Sequence, residues 1–275
     1  MIQTYQTSDQ LTLHVAVRGS GPAIVFLHGW TSNHREWVSY AQPLSDSFAT
    51  YCWDAPGHGS LNHPPREPID VQRMAVDLQE HIQQFELESP LLVGHSMGAL
   101  TSWEYIRQFG SDHLSGLVIV DQSPKLITEE DWPHGIYGEF PKERNKNFIA
   151  RCEADFAETV LKLVGEGNNS AARAEYAADS SRIQRTRSYL QRLSAEPLIQ
   201  IWESLTLQDY RNVLPEIRVP TLLIHGDESH FYSVEVAQYL HRQIPDTTLH
   251  VYEGTDHSPH LWQRERFLDD LRLFA

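Results

Sequence analysis

Cysteine is scarce: Cys52 and Cys152 are the only two in 275 residues, far apart and in no CxxC spacing. This excludes a disulfide framework and a thiolate zinc site of the usual spacing. Cys52, inside an apolar run, is expected simply to be packed. Basic residues are also in short supply. The 22 Lys and Arg against 37 Asp and Glu give a formal charge of −15, and the basic residues are not clustered, which excludes a surface that tracks nucleic-acid phosphates. No apolar run approaches the roughly eighteen residues needed to cross a bilayer, and Met1-Ile2-Gln3-Thr4-Tyr5 lacks the charged and apolar regions of a signal peptide. The expectation is a cytoplasmic protein whose partner is a small molecule, with no nucleic acid and no membrane. Oligomeric state stays open.

What is present is a globular composition, 40% hydrophobic and 21% charged, in a chain long enough for one large core carrying an insertion. Leu11, Leu13, Val15 and Val17 alternate with polar neighbours, as in a half-buried strand. Ala23 to Leu27 is continuously apolar, as in a strand covered on both faces. Similar runs recur at 48–53, 91–93, 117–120, 221–225 and 249–251. Between them, apolar residues return every three or four positions, at Val71, Met74, Ala75, Leu78, Ile82 and Phe85 and again from Val234 to Leu240. Strands alternating with helices predict a mainly parallel α/β sheet flanked by helices. The alternation stops between about Pro124 and Asn212, where the period is helical through Ile149, Cys152, Phe156, Val160 and Leu163. A gap that long predicts an inserted helical cap over 124–212, on a core formed by 1–123 and 213–275.

The sharpest chemical signal is Gly94-His95-Ser96-Met97-Gly98, which fits G-x-S-x-G. It follows an apolar strand-like run and precedes a helical segment from Ala99 to Phe109, the context a nucleophile elbow requires. There a serine on a strained turn projects its hydroxyl, and glycines on either side leave room for the strand-to-helix crossing.

Three further motifs occur in order along the chain: Leu27-His28-Gly29-Trp30, Asp54-Ala55-Pro56-Gly57-His58-Gly59-Ser60, and Gly254-Thr255-Asp256-His257-Ser258-Pro259. Together with the elbow they make the sequence resemble the α/β-hydrolases, in particular the non-haem haloperoxidase and esterase-like members. The resemblance implies an α/β-hydrolase fold and a triad with Ser96 as nucleophile and His257 as base, and His260 is the nearest competitor for the second role. It also implies an oxyanion hole formed by the backbone amides of Trp30 and Met97. Such enzymes need no metal and no organic cofactor. The turn at Asp54 is structural in the family.

The acid departs from the commoner pattern. The position three residues after Gly226 is Ser229, which carries no charge to stabilise an imidazolium. The resemblance offers a second acid position, the end of the strand after the nucleophile helix, so Asp121 after the 117–120 run is the preferred acid, with Asp227 and Glu228 as alternatives, since a triad is defined by geometry. Trp30, Trp132, Tyr137, Phe140 and Trp202 are candidates to line an aromatic pocket, and 132–138 resembles a lid segment of haloperoxidase-like hydrolases. His34 is a candidate for the mouth of the site, with solvent as the alternative, and His95 lies beside the nucleophile.

The function that follows is cleavage of a small carboxylic ester through an acyl-enzyme, with perhydrolysis as a side activity. A second reading comes from partial resemblance to cofactor-independent 3-hydroxy-4-oxoquinoline dioxygenases. It rests on His95 before the serine, a strand-end Asp121 with a late His257, and the 29–34 loop. In that chemistry the His-Asp dyad deprotonates a heteroaromatic alcohol and the serine is not a nucleophile.

Overall fold

A computed structural model describes residues 1–59 and 69–275. Ser60, the last residue of the turn motif that begins at Asp54, lies outside the described residues. The chain opens with β1 (Ile2–Gln6), β2 (Thr12–Arg18) and β3 (Ala23–Leu27), followed by α1 (Arg35–Leu44), β4 (Ala49–Trp53) and α2 (Val71–Gln84). The middle contains β5 (Leu91–His95), α3 (Met97–Phe109) and β6 (Gly116–Val120). Five helices come next: α4 (Lys142–Ala154), α5 (Phe156–Gly165), α6 (Ser170–Ala177), α7 (Ser181–Leu190) and α8 (Ala195–Thr206). The chain then returns through β7 (Thr221–Gly226), α9 (Val234–Gln243), β8 (Thr247–Tyr252), α10 (Pro259–Trp262) and α11 (Arg264–Phe274).

One sheet runs in the order β1-β2-β4-β3-β5-β6-β7-β8. The β1–β2 and β2–β4 pairs are antiparallel and the remainder are parallel. Strand β1 has no counterpart in the sequence reading, because Tyr5 is its one buried residue and a solvated edge strand shows little apolar periodicity. In the central strands the pleat divides the apolar runs between two layers. Val25 and Leu27 pack with α2, α3 and α9 on one face, while Ile24 and Phe26 pack with α1 and α11 on the other. Five consecutive buried residues in each of β3, β5 and β6 are thus explained by cover on both sides. Among the described residues no helix is long and apolar enough to cross a membrane.

Helices α4 to α8 lie between β6 and β7, and their apolar side chains join the cluster that includes α2 and α3. The helical period read through Ile149 to Leu163 is two helices and not one. Asp155 separates them, and its side chain accepts the Glu158 amide to start α5. Asn169 and Ser180 cap α6 and α7 in the same way. Polar contacts tie these helices to the rest of the fold, among them Trp30 Nε1 to the Leu198 carbonyl at 2.9 Å, Asn33 to the Tyr189 hydroxyl at 3.2 Å, Tyr189 to the Thr31 carbonyl at 2.9 Å, and the amide of Val71, at the start of α2, to Ser204 at 2.7 Å.

The turn between β5 and α3 is a tight crossing. A Cβ on Gly98 would stand 2.2 Å from the Leu27 carbonyl oxygen, and one on Gly94 would stand 2.5 Å from the Gly98 carbonyl. Both obstacles are backbone, so neither can swing aside. Gly98→Ala is therefore expected to destabilise the protein by about 3 kcal/mol, the upper end for forced overpacking. Urea unfolding measures this, and a midpoint equal to that of the wild type would contradict the packing described.

Candidate active site

Ser96 occupies the turn at the C-terminal end of β5, with φ 52° and ψ −115°, and its side chain does not cap α3. A non-glycine residue with positive φ is strained, and the close Gly98–Leu27 contact holds it there. The hydroxyl is therefore not consumed by the fold. Ser96 and His257 line the same cavity of about 450 Å³, within the range of small-molecule sites. Its apolar wall includes Leu126, Ile136, Val160, Leu163, Trp202 and Leu205.

Asp121 follows the C-terminal end of β6, also at positive φ (47°). Its Oδ2 lies 2.6 Å from His257 Nδ1 and accepts from Ser229 Oγ at 2.6 Å. Its Oδ1 lies 2.8 Å from His225 Nδ1 and accepts the Gly226 amide at 3.2 Å. Burial by itself would raise this carboxyl, but the His225 and His257 imidazoles hold it well below the usual carboxylate range. Ser229, which stands at the family's common acid position, donates to Asp121. Its Oγ is fixed in turn by the Phe231 and Tyr232 amides at 3.3 and 3.4 Å. Asp227 and Glu228 are exposed, and the Asp227 carboxylate accepts the Gly254 amide at 2.7 Å. Neither contacts His257.

His257 is 8% exposed, with the Phe231 ring edge-on at 4.6 Å. Burial pushes its imidazole below the ordinary value, against the pull of Asp121. With Nδ1 committed to the carboxylate, Nε2 is the nitrogen left for proton transfer. The backbone amides of Trp30, in the loop after β3, and Met97, at the first position of α3, have no hydrogen-bond acceptor among the described residues. An orphan amide in the first turn of a helix is a donor awaiting an acceptor.

Of the five aromatic candidates, Trp30 and Trp202 line the cavity, with ring centroids 4.8 Å apart. Trp132 does not: its Nε1 donates to the Lys125 carbonyl at 2.9 Å, and its ring packs against Tyr239 of α9. Tyr137 is not among the lining residues and its hydroxyl donates to the carbonyl of Leu163, and Phe140 is buried among the α4 and α8 aromatics. His34 does not line the cavity either, because its amide and Nδ1 are bound to Asp54 at 2.6 and 2.9 Å. His95 borders the cavity but spends both nitrogens on protein partners, Glu36 at 2.7 Å and the His257 carbonyl at 2.9 Å. His260, the alternative base, is fully buried against Trp37, and burial pushes it down to about 4.

Sequence reasoning missed Glu36 and His225. Glu36 reads as an acidic residue favouring a helix N-terminus, and His225 as the last residue of a buried strand; the contacts of both come from elements distant in the chain. Glu36, His95 and His260 bring metal-type donor atoms within 4.8 Å of one another. The 2.7 Å between Glu36 and His95 is, however, a hydrogen-bond distance, shorter than the about 3.3 Å between two ligands of a tetrahedral ion with 2.0 Å bonds.

Known proteins bear on this geometry. The chain is 29% identical to a pimeloyl-acyl-carrier-protein methyl ester esterase of Vibrio atlanticus (strain LGP32), over 98% of this chain and 99% of that one. It is 25% identical to the non-heme chloroperoxidase CPO-A1 of Kitasatospora aureofaciens, over 98% and 97%. The structure of an esterase (EaEST) from Exiguobacterium antarcticum superposes with a TM-score of 0.85 at 26% identity, covering 100% of this chain and 99% of that one. A family profile described as alpha/beta hydrolase fold matches residues 22–263, and the chain belongs to that family.

Proposed function

We propose that this chain is a serine esterase that cleaves a small carboxylic ester through an acyl-enzyme. The observation that carries the reading is the 2.6 Å contact between His257 Nδ1 and Asp121 Oδ2, beside a strained Ser96 in one cavity. Esterases among the relatives support it.

In this reading Ser96 Oγ attacks the ester carbonyl while His257 Nε2 takes its proton, a serine being a weak nucleophile without a base. Asp121 keeps the imidazole in the productive tautomer and stabilises its charged form. The amides of Trp30 and Met97 donate to the oxyanion. The intermediate collapses with transfer of the proton from His257 to the departing alcohol, and water repeats the sequence on the acyl-enzyme. Hydrogen peroxide in place of that water would release a peracid and free serine, the perhydrolase side activity that the chloroperoxidase relative favours. Residues 124–212 serve as the cap, and their apolar side chains Val160, Leu163, Trp202 and Leu205 define the acyl pocket.

A panel of p-nitrophenyl esters from acetyl to palmitoyl tests this, with 3-hydroxy-4-oxoquinoline as the contrasting substrate. A cavity of about 450 Å³ must hold both halves of the ester, so turnover is expected for short and medium acyl groups and to fall towards palmitoyl. Oxygen uptake on the quinoline with no ester turnover would favour the dioxygenase reading instead.

The same base sets the pH dependence. His257 acts when neutral, and burial places its folded value below the ordinary 6.5. The acid limb of kcat/KM, which reports the free enzyme, is therefore expected to have its midpoint below pH 6.5, with full activity above it. A midpoint above 6.5 would contradict the environment described for His257.

A further inference from the structure

His95 lies directly before the nucleophile, and both of its ring nitrogens face acceptors. Nδ1 lies 2.7 Å from Glu36 Oε1, and Nε2 lies 2.9 Å from the His257 carbonyl oxygen. A neutral imidazole has one N–H and cannot donate to both. Two donated bonds would require a second ring proton, with the buried Glu36 carboxylate as its counter-ion. Glu36 Oε2 in turn accepts the Gly29 amide at 3.2 Å, one residue before the amide assigned to the oxyanion hole. The chain Gly29–Glu36–His95–His257 thus joins the loop after β3, helix α1, the elbow and the loop after β8.

We propose that Glu36 and His95 form a charged positioning pair that fixes the backbones of the oxyanion loop and of the base relative to Ser96, and keeps His257 neutral. The proposal rests on His257 being the base of the reaction described above. The imidazolium does two things. Its Nε2–H tethers the His257 backbone, and its charge, with ring centroids 4.9 Å apart, opposes protonation of the His257 ring. The other titratable groups that face His95 are His260 of α10, centroid 4.7 Å away, and Asp121 after β6. His260 is held neutral by burial, so it adds no competing charge. Burial disfavours a charged His95, yet Glu36 outweighs it and the imidazole stands above its ordinary value. Glu36 stands well below its own, burial opposing that shift and His95 driving it together with His260, whose Nε2 lies 3.3 Å from Glu36 Oε1. Neither residue reaches the substrate carbonyl in the proposed chemistry; both act through others.

The most direct test is nitrogen NMR of the wild-type protein labelled at histidine. The His95 imidazole is expected to stay doubly protonated at pH 7, identified as the signal that vanishes in His95→Gln and turns neutral in Glu36→Gln, whereas His225, which Asp121 also holds above its ordinary value, should be unchanged in both variants. Kinetics supplies the second readout. Glu36→Gln removes the counter-ion, so kcat is expected to fall about tenfold to a hundredfold with KM changed less than about twofold, as for a small misplacement of reacting groups. The acid limb should move up by about half a unit to one unit as the neighbouring positive charge is lost. His95→Gln can still donate to the His257 carbonyl and should show the limb shift with a smaller loss of kcat. His95→Leu loses both the tether and the charge. Should His95→Leu fail to fold, the wild-type spectrum and Glu36→Gln still decide. A His95 that is neutral at pH 7, or an unmoved limb with wild-type kcat in Glu36→Gln, would overturn the pair. Fluorophosphonate labelling of the same preparations separates the two claims: wild type that labels at Ser96 while His95 is neutral fails the pair alone, and wild type that does not label fails the hydrolase reading beneath it.

Discussion

Ser96→Ala is expected to abolish turnover of short aryl esters, with the loss in kcat and substrate binding nearly unchanged. The hydroxyl forms the bond that breaks the ester, so its removal acts on chemistry and not on the ground state. Triad deletions elsewhere cost several powers of ten. The protein should remain folded, because the Ser96 side chain makes no cap hydrogen bond to α3 and the strained turn is set by Gly94 and Gly98. Retention of more than about a tenth of wild-type kcat would exclude the acyl-enzyme route, given that cost.

Asp121→Asn is the second large effect. Four donors converge on this carboxylate: His257, Ser229, His225 and the Gly226 amide. An asparagine amide presents N–H where two of them require an acceptor. Turned the other way, it offers His257 a donor and leaves the ring in the tautomer whose Nε2 cannot take a proton. Comparable changes in a serine-protease triad lower kcat by about four powers of ten. A stability loss of about 1–3 kcal/mol should accompany it, because buried donors lose their acceptor. Asp227→Asn is the control. That side chain is exposed and holds one turn amide, so its effect should stay within about 0.5 kcal/mol of stability and leave turnover intact. Collapse in Asp227→Asn with full activity in Asp121→Asn would transfer the acid role to the other turn.

Much of this arrangement is legible in the sequence because it is carried by local pattern. The apolar runs at 23–27, 91–93 and 117–120 match strands whose two faces are covered, and the elbow needs glycines within five residues of each other. Asp121 could be weighed from sequence because some members of the resembled family carry the acid at the end of the strand that follows the nucleophile helix, where Asp121 stands. The misplaced aromatics show where local pattern stops. Trp132 and Tyr137 are directed by hydrogen bonds to carbonyls seven and 26 residues away. No period in the chain encodes such a turn of a side chain. Glu36 and His95 fail to announce themselves for a similar reason: they are 59 residues apart, and His257, whose carbonyl faces His95 Nε2, lies 162 residues from His95. Ser229 is the instructive intermediate. The sequence marks it as an oddity at the common acid position, and the fold gives the oddity a partner, since the serine donates to Asp121 after the neighbouring strand β6.

The central claim, that Ser96 is a nucleophile activated by His257, is tested most directly by fluorophosphonate labelling followed by peptide mapping of the folded protein. The account predicts one adduct, on Ser96 in the peptide containing Gly94 to Gly98, formed in wild type and strongly slowed in Asp121→Asn. Absence of any adduct in folded wild type, or an adduct on a different residue, would contradict it.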